Sequence, residues 1–260
     1  MRLTFLGTGT STGVPQIMCG CEVCRSSDPR DRRLRTSALL TLDNGHNVLI
    51  DCGPDFREQM LRCDCHDIRA VLLTHSHYDH VGGIDDMRPY CAKYGDAGLP
   101  AYCREDVARD LRSRIPYCFD INPYPGAPSF DIHTILPNKP FSLYDGTEIL
   151  PLDIIHAPER GLHILGFRIG PLAYVTDCKI MPPSTLETLR GIDTLLLNGL
   201  RHETHPSHMN LSEALGVINE VRPRVAYLIH LSHGIGLHKE TQQTLPEGVH
   251  IAYDGLTIDI

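Results

Sequence analysis

The feature that most constrains this chain is a cluster of metal-binding residue types within residues 74–80. Three histidines and one aspartate fall within six residues: His75, His77, Asp79 and His80. The cluster follows a short apolar, β-branched run at 68–74, which is typical of a buried strand, and residues 81–84 indicate a turn into a helix. Because side chains alternate along an extended strand, His75 and His77 would face the same way. Imidazole and carboxylate suit zinc, iron or manganese, so the pattern predicts a metal site on a loop at the end of a core strand.

This arrangement, His-x-His-x-Asp-His after an apolar strand, resembles the signature of the metallo-β-lactamase superfamily. Other elements of the family follow in the same order over nearly the whole chain. The resemblance implies an α/β fold, an αββα sandwich in which two central mixed sheets are flanked by helices. We therefore expect residues 1–260 to form a single hydrolase domain of this type. The small-residue loop at 7–13 lacks the lysine of a P-loop, and we expect a tight turn there that passes close to the metal site.

Composition narrows the classes of protein that the chain can belong to. Hydrophobic residues make up 42% of the 260 residues, an ordinary level for a globular protein. No apolar run approaches the roughly 20 residues that are needed to span a bilayer, so we expect no membrane partner. The net charge of −8 argues against broad nucleic-acid binding. The N-terminus lacks a signal-peptide profile, so we expect a cytoplasmic protein whose ten cysteines are metal ligands or buried thiols rather than disulfides.

A second cluster of ligands lies near the N-terminus. Cys19, Cys21 and Cys24 can bind one tetrahedral zinc with a fourth ligand from elsewhere, and the alternative is three unrelated free thiols. An insertion of this kind, at about residues 14–35, resembles the superfamily branch that contains the phosphonate-pathway cyclic phosphodiesterase. In that branch three such cysteines and a distant histidine hold a structural zinc. The resemblance implies that His233 is the fourth ligand of this zinc clip.

The resemblance also implies the ligands of a two-metal centre. Its first site would hold His75, His77 and His156, its second site would hold Asp79, His80 and His230, and Asp177 would bridge the two ions. His156, Asp177 and His230 each stand at the end of a strand-like run, and Asp51 would orient the metal-binding loop through hydrogen bonds. We expect two divalent ions, zinc or manganese, with coordination positions left open for water, which is typical of catalytic sites.

Three features favour one activity among those of the superfamily. Asp79 at the second site favours a two-metal hydrolase over the cysteine-bearing lactamases, and we count it as catalytic as well as metal-binding. His208, just before residues 209–212 and a helix, resembles the histidine that protonates the leaving group in the phosphodiesterase branch, including tRNase Z. Asn210 departs from the tRNase pattern, and the zinc clip and the acidic charge favour a small substrate over tRNA. We predict a two-metal phosphodiesterase that acts on a small phosphodiester, cyclic ones included. The alternatives are a tRNA 3′-processing endonuclease and a non-catalytic metal-binding sensor.

Other segments leave their roles open. Arg88 is a weaker candidate for binding a substrate phosphate, and a salt bridge on a helix surface is an equal alternative. Residues 25–35 hold five arginines and two aspartates; we favour a solvated connecting loop over a patch that steers phosphates. Residues 116–130 form either a substrate-covering loop or a plain connection. His202 and His205 are expected to be solvated. Because relatives form homodimers, the resemblance also implies a homodimer.

Overall fold

Two seven-stranded sheets account for the strands of the computed structural model, which describes residues 1–120 and 124–260, apart from the side chain of Asp96. Strands and helices are numbered in chain order. The first sheet contains β1 (Arg2–Gly7), β2 (Ser37–Thr41), β3 (Asn47–Ile50), β4 (Ala70–Leu72), β5 (Leu99–Cys103), β6 (Phe130–Thr134) and β14 (Thr257–Asp259). The second sheet contains β7 (Phe141–Ser142), β8 (Glu148–Ala157), β9 (Leu162–Ile169), β10 (Leu172–Val175), β11 (Thr194–Asn198), β12 (Val225–Ile229) and β13 (Val249–Ile251).

Both sheets are mixed, as the resemblance implied. In the first sheet the order is β14-β1-β2-β3-β4-β5-β6, antiparallel as far as β3 and parallel beyond it. In the second the order is β13-β12-β11-β10-β9-β8-β7, parallel from β13 to β10 and antiparallel beyond. Four antiparallel pairs, β2 with β3 and the three pairs among β7, β8, β9 and β10, are joined by short turns, such as the one at Gly45, whose φ of +83° favours glycine. Parallel neighbours need longer crossover connections, which contain most of the helices.

The helices cover the outer faces of the two sheets. They are α1 (Glu22–Arg25), α2 (Phe56–Cys63), α3 (Tyr78–Val81), α4 (Arg88–Cys91), α5 (Glu105–Arg114), α6 (Pro183–Leu189), α7 (Leu211–Val221) and α8 (His238–Thr244). Short 3₁₀ turns lie at Pro29–Asp31, Ile84–Met87, Gly95–Ala97, Pro116–Cys118, Pro158–Arg160 and His233–Ile235. Among the described residues, no helix is both long enough and apolar enough to cross a membrane.

Three apolar clusters hold these layers together. Leu40, Phe167 and Tyr174 belong to the cluster between the sheets, and all are almost completely buried. A second cluster packs α2 and α5 on the outer face of the first sheet, and a third packs α6 and α7 on the second sheet. Central strands are therefore buried on both faces, which explains their continuous apolar runs. The predicted αββα sandwich is confirmed.

The strand ends that carry the candidate ligands meet at one edge of the sandwich. The Leu165 N–H donates to the Thr74 carbonyl at 3.0 Å, which joins β9 to the segment after β4. The Leu231 N–H donates to the Thr8 carbonyl at 2.9 Å, and the Thr10 N–H donates back to Leu231 at 3.0 Å. The loop after β1 is thus joined to the loop after β12, and the segment after β4 is joined to β9, so both links cross from one sheet to the other. This placement agrees with the predicted tight turn at 7–13.

Candidate metal centres

The segment after β4 carries four of the candidate ligands. The chain leaves the strand in extended conformation, and His77 precedes α3 with φ −63° and ψ 150°. The rings of His75 and His77 lie 4.5 Å apart between centroids, so the alternation expected from the sequence places both on one side. Asp79 and His80 then lie in the first turn of α3, where both are buried.

All seven predicted ligands of the two-metal centre lie together. Their ligand atoms form two sets, each within 4.8 Å: His75, His77, His156 and Asp177, and then Asp79, His80, Asp177 and His230. Asp177 Oδ1 lies 3.2 Å from Nε2 of both His80 and His230, members of the second set. Asp177 Oδ2 lies 3.9 Å from His75 Nε2 and 4.0 Å from His156 Nε2, members of the first set. The two oxygens of Asp177 therefore face different sets, as a bridging carboxylate requires.

Hydrogen bonds turn the histidine rings so that they can hold ions. His80 Nδ1 donates to Asp51 Oδ2 at 2.7 Å, and His156 Nδ1 donates to the Ser207 carbonyl at 2.9 Å. His75 Nδ1 lies 3.0 Å from Thr74 Oγ1, whose own hydroxyl donates to Asp51. Nε2 of each ring is left to point inward. The buried Nε2 atoms of His75 and His80 have no hydrogen bond within the described residues. This donor set fits a bound cation.

Charge in the centre also favours cations. Burial works to raise the pKa of Asp177, but His230 and His80 outweigh it and hold that pKa well below its ordinary value. Burial works to lower the pKa of His80, but Asp177, Asp51 and Asp79 together raise it well above its ordinary value. Carboxylate charge is therefore concentrated around one imidazole. Divalent ions would neutralise this charge, and the mixture of imidazole and carboxylate suits zinc or manganese.

Backbone conformation is unusual at three of these strand ends. Asp51, Asp177 and His230 have φ values of 61°, 52° and 54°, in the left-handed region that non-glycine residues seldom adopt. Such conformations cost of order 1–3 kcal/mol and cluster at functional sites. The surrounding hydrogen bonds hold all three residues at the point where the chain turns into the centre.

The zinc clip forms a second, separate cluster. The Sγ atoms of Cys19, Cys21 and Cys24 lie 3.2, 3.3 and 3.6 Å from His233 Nδ1. Zn–S bonds of about 2.3 Å and a Zn–N bond of about 2.0 Å at tetrahedral angles would place each Sγ about 3.5 Å from the His233 nitrogen. A hydrogen bond from the Cys24 N–H lowers the pKa of the Cys21 thiol to about 6, which favours a thiolate ligand. The four residues fit a structural zinc.

His208 lies against the candidate two-metal centre. Its Nε2 is 3.0 Å from Asp177 Oδ2. Its ring stacks on His230 at 4.9 Å between centroids and meets His156 edge-on at 4.9 Å. The start of α7 anchors this segment, because the Asn210 side chain accepts from the Glu213 N–H and the Glu213 carboxylate accepts from the Asn210 N–H.

His205 differs from the prediction. It was expected to be solvated, yet its ring lies 4.8 Å from that of His208 between centroids and is only partly exposed. The spacing of three residues across Pro206 brings the two rings together. No pattern in the sequence distinguished His205 from His202, whose Nε2 lies 3.2 Å from the Ile235 carbonyl instead.

Arg88 has its hydrogen-bond donors occupied by the protein. Its Nη2 lies 2.7 Å from Asp85 Oδ1 and 2.9 Å from the Tyr124 hydroxyl, and its Nη1 donates to the Gly126 carbonyl at 2.8 Å. This geometry favours the salt-bridge alternative over a substrate phosphate. Tyr124 and Gly126 belong to the segment 116–130, of which residues 121–123 lie outside the described part of the chain.

The segment 25–35 is only in part the solvated loop that we favoured, since Arg25 and Arg32 are exposed but other residues are buried. Arg33 and Asp31 are each only 2% exposed. Arg33 Nη1 donates to Thr8 Oγ1 at 2.9 Å and to the Ala252 carbonyl at 2.6 Å, and Asp31 Oδ1 accepts from the His238 N–H at 2.7 Å. The expectation failed because remote segments pack over these charges. Cys63 and Cys65 are half-buried free thiols.

The fold and the centre define the class of protein: a metal-dependent hydrolase of the metallo-β-lactamase fold. Residues 46–231 match the family model described as "Beta-lactamase superfamily domain". The chain belongs to this superfamily.

The chain is also similar to three particular proteins. A crystal structure described as a new diphosphatase from the PhnP family is 39% identical, has a TM-score of 0.90, and the match covers 100% of this chain and 97% of that one. Zinc-bound PqqB from Methylobacterium extorquens is 19% identical with a TM-score of 0.80 over 100% of both chains, which shows the fold alone. The octanoyltransferase of Porphyromonas gingivalis (strain ATCC BAA-308 / W83) is 44% identical over 257 residues, 98% of this chain and 51% of that protein. The chain thus spans about half the length of that curated relative.

Proposed function

We propose that this chain is a two-metal phosphodiesterase that acts on small phosphodiesters, cyclic ones included. One observation carries the proposal. The two oxygens of Asp177 face two separate sets of ligands, and His208 Nε2 lies 3.0 Å from the same carboxylate. A candidate proton donor therefore stands beside a centre that could hold two ions. Hydrolysis of a phosphodiester needs both features, since it needs charge stabilisation and a proton for the leaving group.

The residues divide this work among them. Two divalent ions, when bound, would supply an activated water and stabilise charge on the phosphoryl oxygens. His75, His77 and His156 would hold one ion, and Asp79, His80 and His230 the other, with Asp177 shared. Among these seven, His77 alone is exposed, so the centre opens to solvent at His77 and a substrate can approach there. His208 would give its Nε2 proton to the departing oxygen.

The relatives bear on the substrate. The chain that is 39% identical is named a diphosphatase. A diphosphate diester and a phosphodiester place the same phosphoryl oxygens before the ions, so a small diphosphate diester is the second candidate substrate. Human short-form tRNase Z, at 16% identity and a TM-score of 0.71, shares the fold alone and gives no support to tRNA processing.

The name octanoyltransferase belongs to a protein about twice as long, and the centre described here does not favour acyl transfer. Such a reaction commonly passes through a thiol or amine nucleophile. Cys178, next to Asp177, is fully buried, and burial raises the pKa of its thiol. Lys179 donates to both carboxylate oxygens of Glu213, at 2.7 and 2.9 Å. Neither residue offers a free nucleophile.

The proposal is tested by metal-dependent turnover. The chain, stripped of metal and reloaded with Mn²⁺ or Zn²⁺, should hydrolyse bis(p-nitrophenyl) phosphate. A panel of cyclic nucleotides, ribose cyclic phosphates and small diphosphate diesters would then rank the substrates. Asp177→Ala should bind at least one ion fewer per chain and lose activity, because both ligand sets lose a member. If the wild-type chain turns over no substrate faster than Asp177→Ala does, the result would contradict the enzyme proposal and favour a metal-binding sensor.

A further inference from the structure

We propose that His205 is a positioning residue for His208: it accepts a hydrogen bond from His208 Nδ1–H and so leaves Nε2, turned toward the centre, as the nitrogen that gains and gives the transferable proton. The inference rests on the proposed function, in which His208 protonates the leaving group. It adds a residue that the sequence patterns did not single out. The chemical class of the substrate stays the same, a phosphodiester with a poor leaving group.

The contact between the two rings is direct. His205 Nδ1 lies 3.0 Å from His208 Nδ1, within hydrogen-bond distance. The Ser207 N–H donates to His205 Nδ1 at 3.3 Å. Ser207 Oγ lies 3.3 Å from His205 Nδ1 and 3.2 Å from His208 Nδ1. Three polar atoms therefore surround Nδ1 of His205, and one of them is a backbone donor that cannot reverse its role.

The fixed donor determines the protonation of both rings. Because His205 Nδ1 accepts from the Ser207 N–H, its own proton is on Nε2 and its Nδ1 is a hydrogen-bond acceptor. Burial, and then the charge of Arg201, lower the pKa of His205, which keeps the ring neutral. His208 Nδ1 must then be the donor in the pair. The hydroxyl of Ser207 can donate or accept and does not select a tautomer by itself.

The result is a histidine whose two nitrogens have separate tasks. His208 Nδ1–H is held by His205, and His208 Nε2 faces Asp177 and the centre at 3.0 Å. Before the step His208 is protonated on both ring nitrogens. As a water oxygen bonds to phosphorus and the bond from phosphorus to the leaving oxygen breaks, the bonding electron pair goes to the leaving oxygen and the Nε2 proton of His208 joins it. His208 is left neutral with its Nδ1 proton in place, and solvent returns a proton to Nε2. Without His205 a neutral His208 could carry its single proton on Nε2 instead of Nδ1, and solvent would then protonate Nδ1, on the side of the ring away from the leaving group.

The same short segment also holds a metal ligand. The Ser207 carbonyl accepts from His156 Nδ1 at 2.9 Å, so residues 205–208 orient both the candidate acid and one ligand. A substitution of His205 could thus lower activity either because His208 is misplaced or because metal binding through His156 is disturbed. Substrates with different leaving groups separate these two causes, because only the first depends on how much the leaving group needs a proton.

The test compares His205→Ala, His205→Asn and His208→Ala on two substrates. One is bis(p-nitrophenyl) phosphate, whose p-nitrophenolate leaves without a proton, and the other is a dialkyl phosphodiester. We expect His205→Ala to lower kcat on the dialkyl ester about 10–100-fold, the usual range for losing a residue that orients another. The loss on the nitrophenyl ester should be several-fold smaller, with metal content unchanged. His205→Asn should recover most of the activity, because the Asn carbonyl can occupy the acceptor position of Nδ1.

His202→Ala is the matched control, since it removes a histidine of the same loop that contacts the Ile235 carbonyl. It should leave both rates within about twofold, as expected for a side chain outside the machinery. In the double variant of His205→Ala with His208→Ala, activity should equal that of His208→Ala alone, because a positioning residue cannot act once the acid is gone.

Three outcomes would overturn the inference. Equal losses on both substrates, or loss of metal, would assign His205 a structural role. Failure of His205→Asn to recover activity would remove the acceptor role. If His208→Ala loses activity equally on both substrates, His208 is not the general acid of the proposed function, and the inference about His205 is wrong as well. This failure of the proposed function can be told apart from a failure of the inference alone, because it is measured in the His208 variant and does not depend on the His205 variants.

Discussion

Asp51 organises the candidate centre although it is not one of the seven candidate ligands. It is fully buried and takes hydrogen bonds from three donors: the Thr74 N–H and the Thr74 hydroxyl on Oδ1, and His80 Nδ1 on Oδ2 at 2.7 Å. Through Thr74 it also sets the ring of His75. One carboxylate thus fixes a histidine in each of the two ligand sets. Burial raises the pKa of Asp51 and these partners oppose that shift, so the ionised form depends on the full set of donors.

Asp51→Asn should weaken metal binding at the two-metal centre by about 10–100-fold, the usual cost of losing a partner that orients a ligand. Either orientation of the amide places its NH₂ group against the Thr74 N–H or against His80 Nδ1–H. Titration of the metal-free chain with Mn²⁺, followed by calorimetry, measures the change. The control is Asp43→Asn, which removes an exposed carboxylate paired with the N-terminus. Unchanged affinity in Asp51→Asn would contradict the orienting role.

His238 is a buried histidine outside both metal clusters. Its ring is 4% exposed, and within the described residues its Nδ1 has no hydrogen-bond partner. Burial, and then the charges of Arg33 and Arg30, lower its pKa to about 4, while Asp28 and Asp31 act in the opposite direction. The ring of Tyr253 packs against it at 5.6 Å between centroids.

This shift predicts how stability depends on pH. Between about pH 6.5 and pH 4 the unfolded chain binds a proton at His238 and the folded chain does not, so stability falls as pH falls. Each unit of pKa difference is worth about 1.4 kcal/mol. Asp254, whose pKa burial raises to about 6, titrates in the same window with the opposite sign. The free energy of unfolding in urea is therefore measured for the wild type and for His238→Gln at pH 7.5 and at pH 5, and the two changes with pH are compared. We expect the wild type to lose about 1–3 kcal/mol more than the variant between these values. Parallel curves would contradict the prediction.

At the scale of the elements, the sequence predicts the strands well and the packing of the loops poorly. An apolar run that stops at a polar residue marks a strand end, and candidate ligands follow β4, β10 and β12 in this way. Which of these residues share one centre was implied by the family resemblance and not by local pattern. Arg33 and His205 could not be placed, because their surroundings depend on where Ala252 and His208 lie after folding. Such contacts form only when the folded chain brings the segments together, and no periodic pattern in the sequence marks them.

The zinc clip gives a prediction at this scale, since it joins α1 to the turn after β12. His233 lies three residues after His230, so the clip ties an N-terminal insertion to the loop of a candidate ligand. Cys21→Ser should remove one zinc per chain and lower Tm by about 5–10 °C, as expected for a loss of a few kcal/mol. Some phosphodiesterase activity should remain, because the two-metal centre keeps its ligands. Cys63→Ser, which alters a half-buried thiol, is the control. Full zinc content and unchanged Tm in Cys21→Ser would rule out the clip.

At the scale of the whole molecule, the candidate centre spans both sheets. His75, His77, Asp79 and His80 follow a strand of the first sheet, whereas His156, Asp177 and His230 lie on or after strands of the second. The candidate ligands therefore come together only once the two sheets have packed against each other. Bound ions would join the two sheets, so loading with metal should stabilise the folded chain.

The charge of the whole molecule bears on the choice between a small phosphodiester and tRNA. The net charge is −8. Four of the six arginines at 25–35 and at 88 are paired with a carboxylate or buried, whereas Arg25 and Arg32 are exposed. Arg30 pairs with Asp28 at 2.7 Å, Arg35 with Asp55 at 3.1 Å and Arg88 with Asp85 at 2.7 Å, while Arg33 is buried. A polyanion is bound largely through unpaired Lys and Arg that release counterions, and these residues do not supply them.

We therefore predict turnover of small phosphodiesters and cleavage of precursor tRNA at less than about 1% of that kcat/KM, since poor capture of a polyanion lowers kcat/KM directly. A radiolabelled tRNA transcript with a 3′ extension, incubated with the manganese-loaded chain at 50 and 200 mM salt, measures the cleavage. Asp177→Ala, which disables the centre, identifies any contaminating nuclease. Because few phosphates would be neutralised, whatever cleavage occurs should depend only weakly on salt. Efficient 3′ trimming that is lost in Asp177→Ala and falls steeply with salt would reverse the ranking and establish tRNA processing as the function.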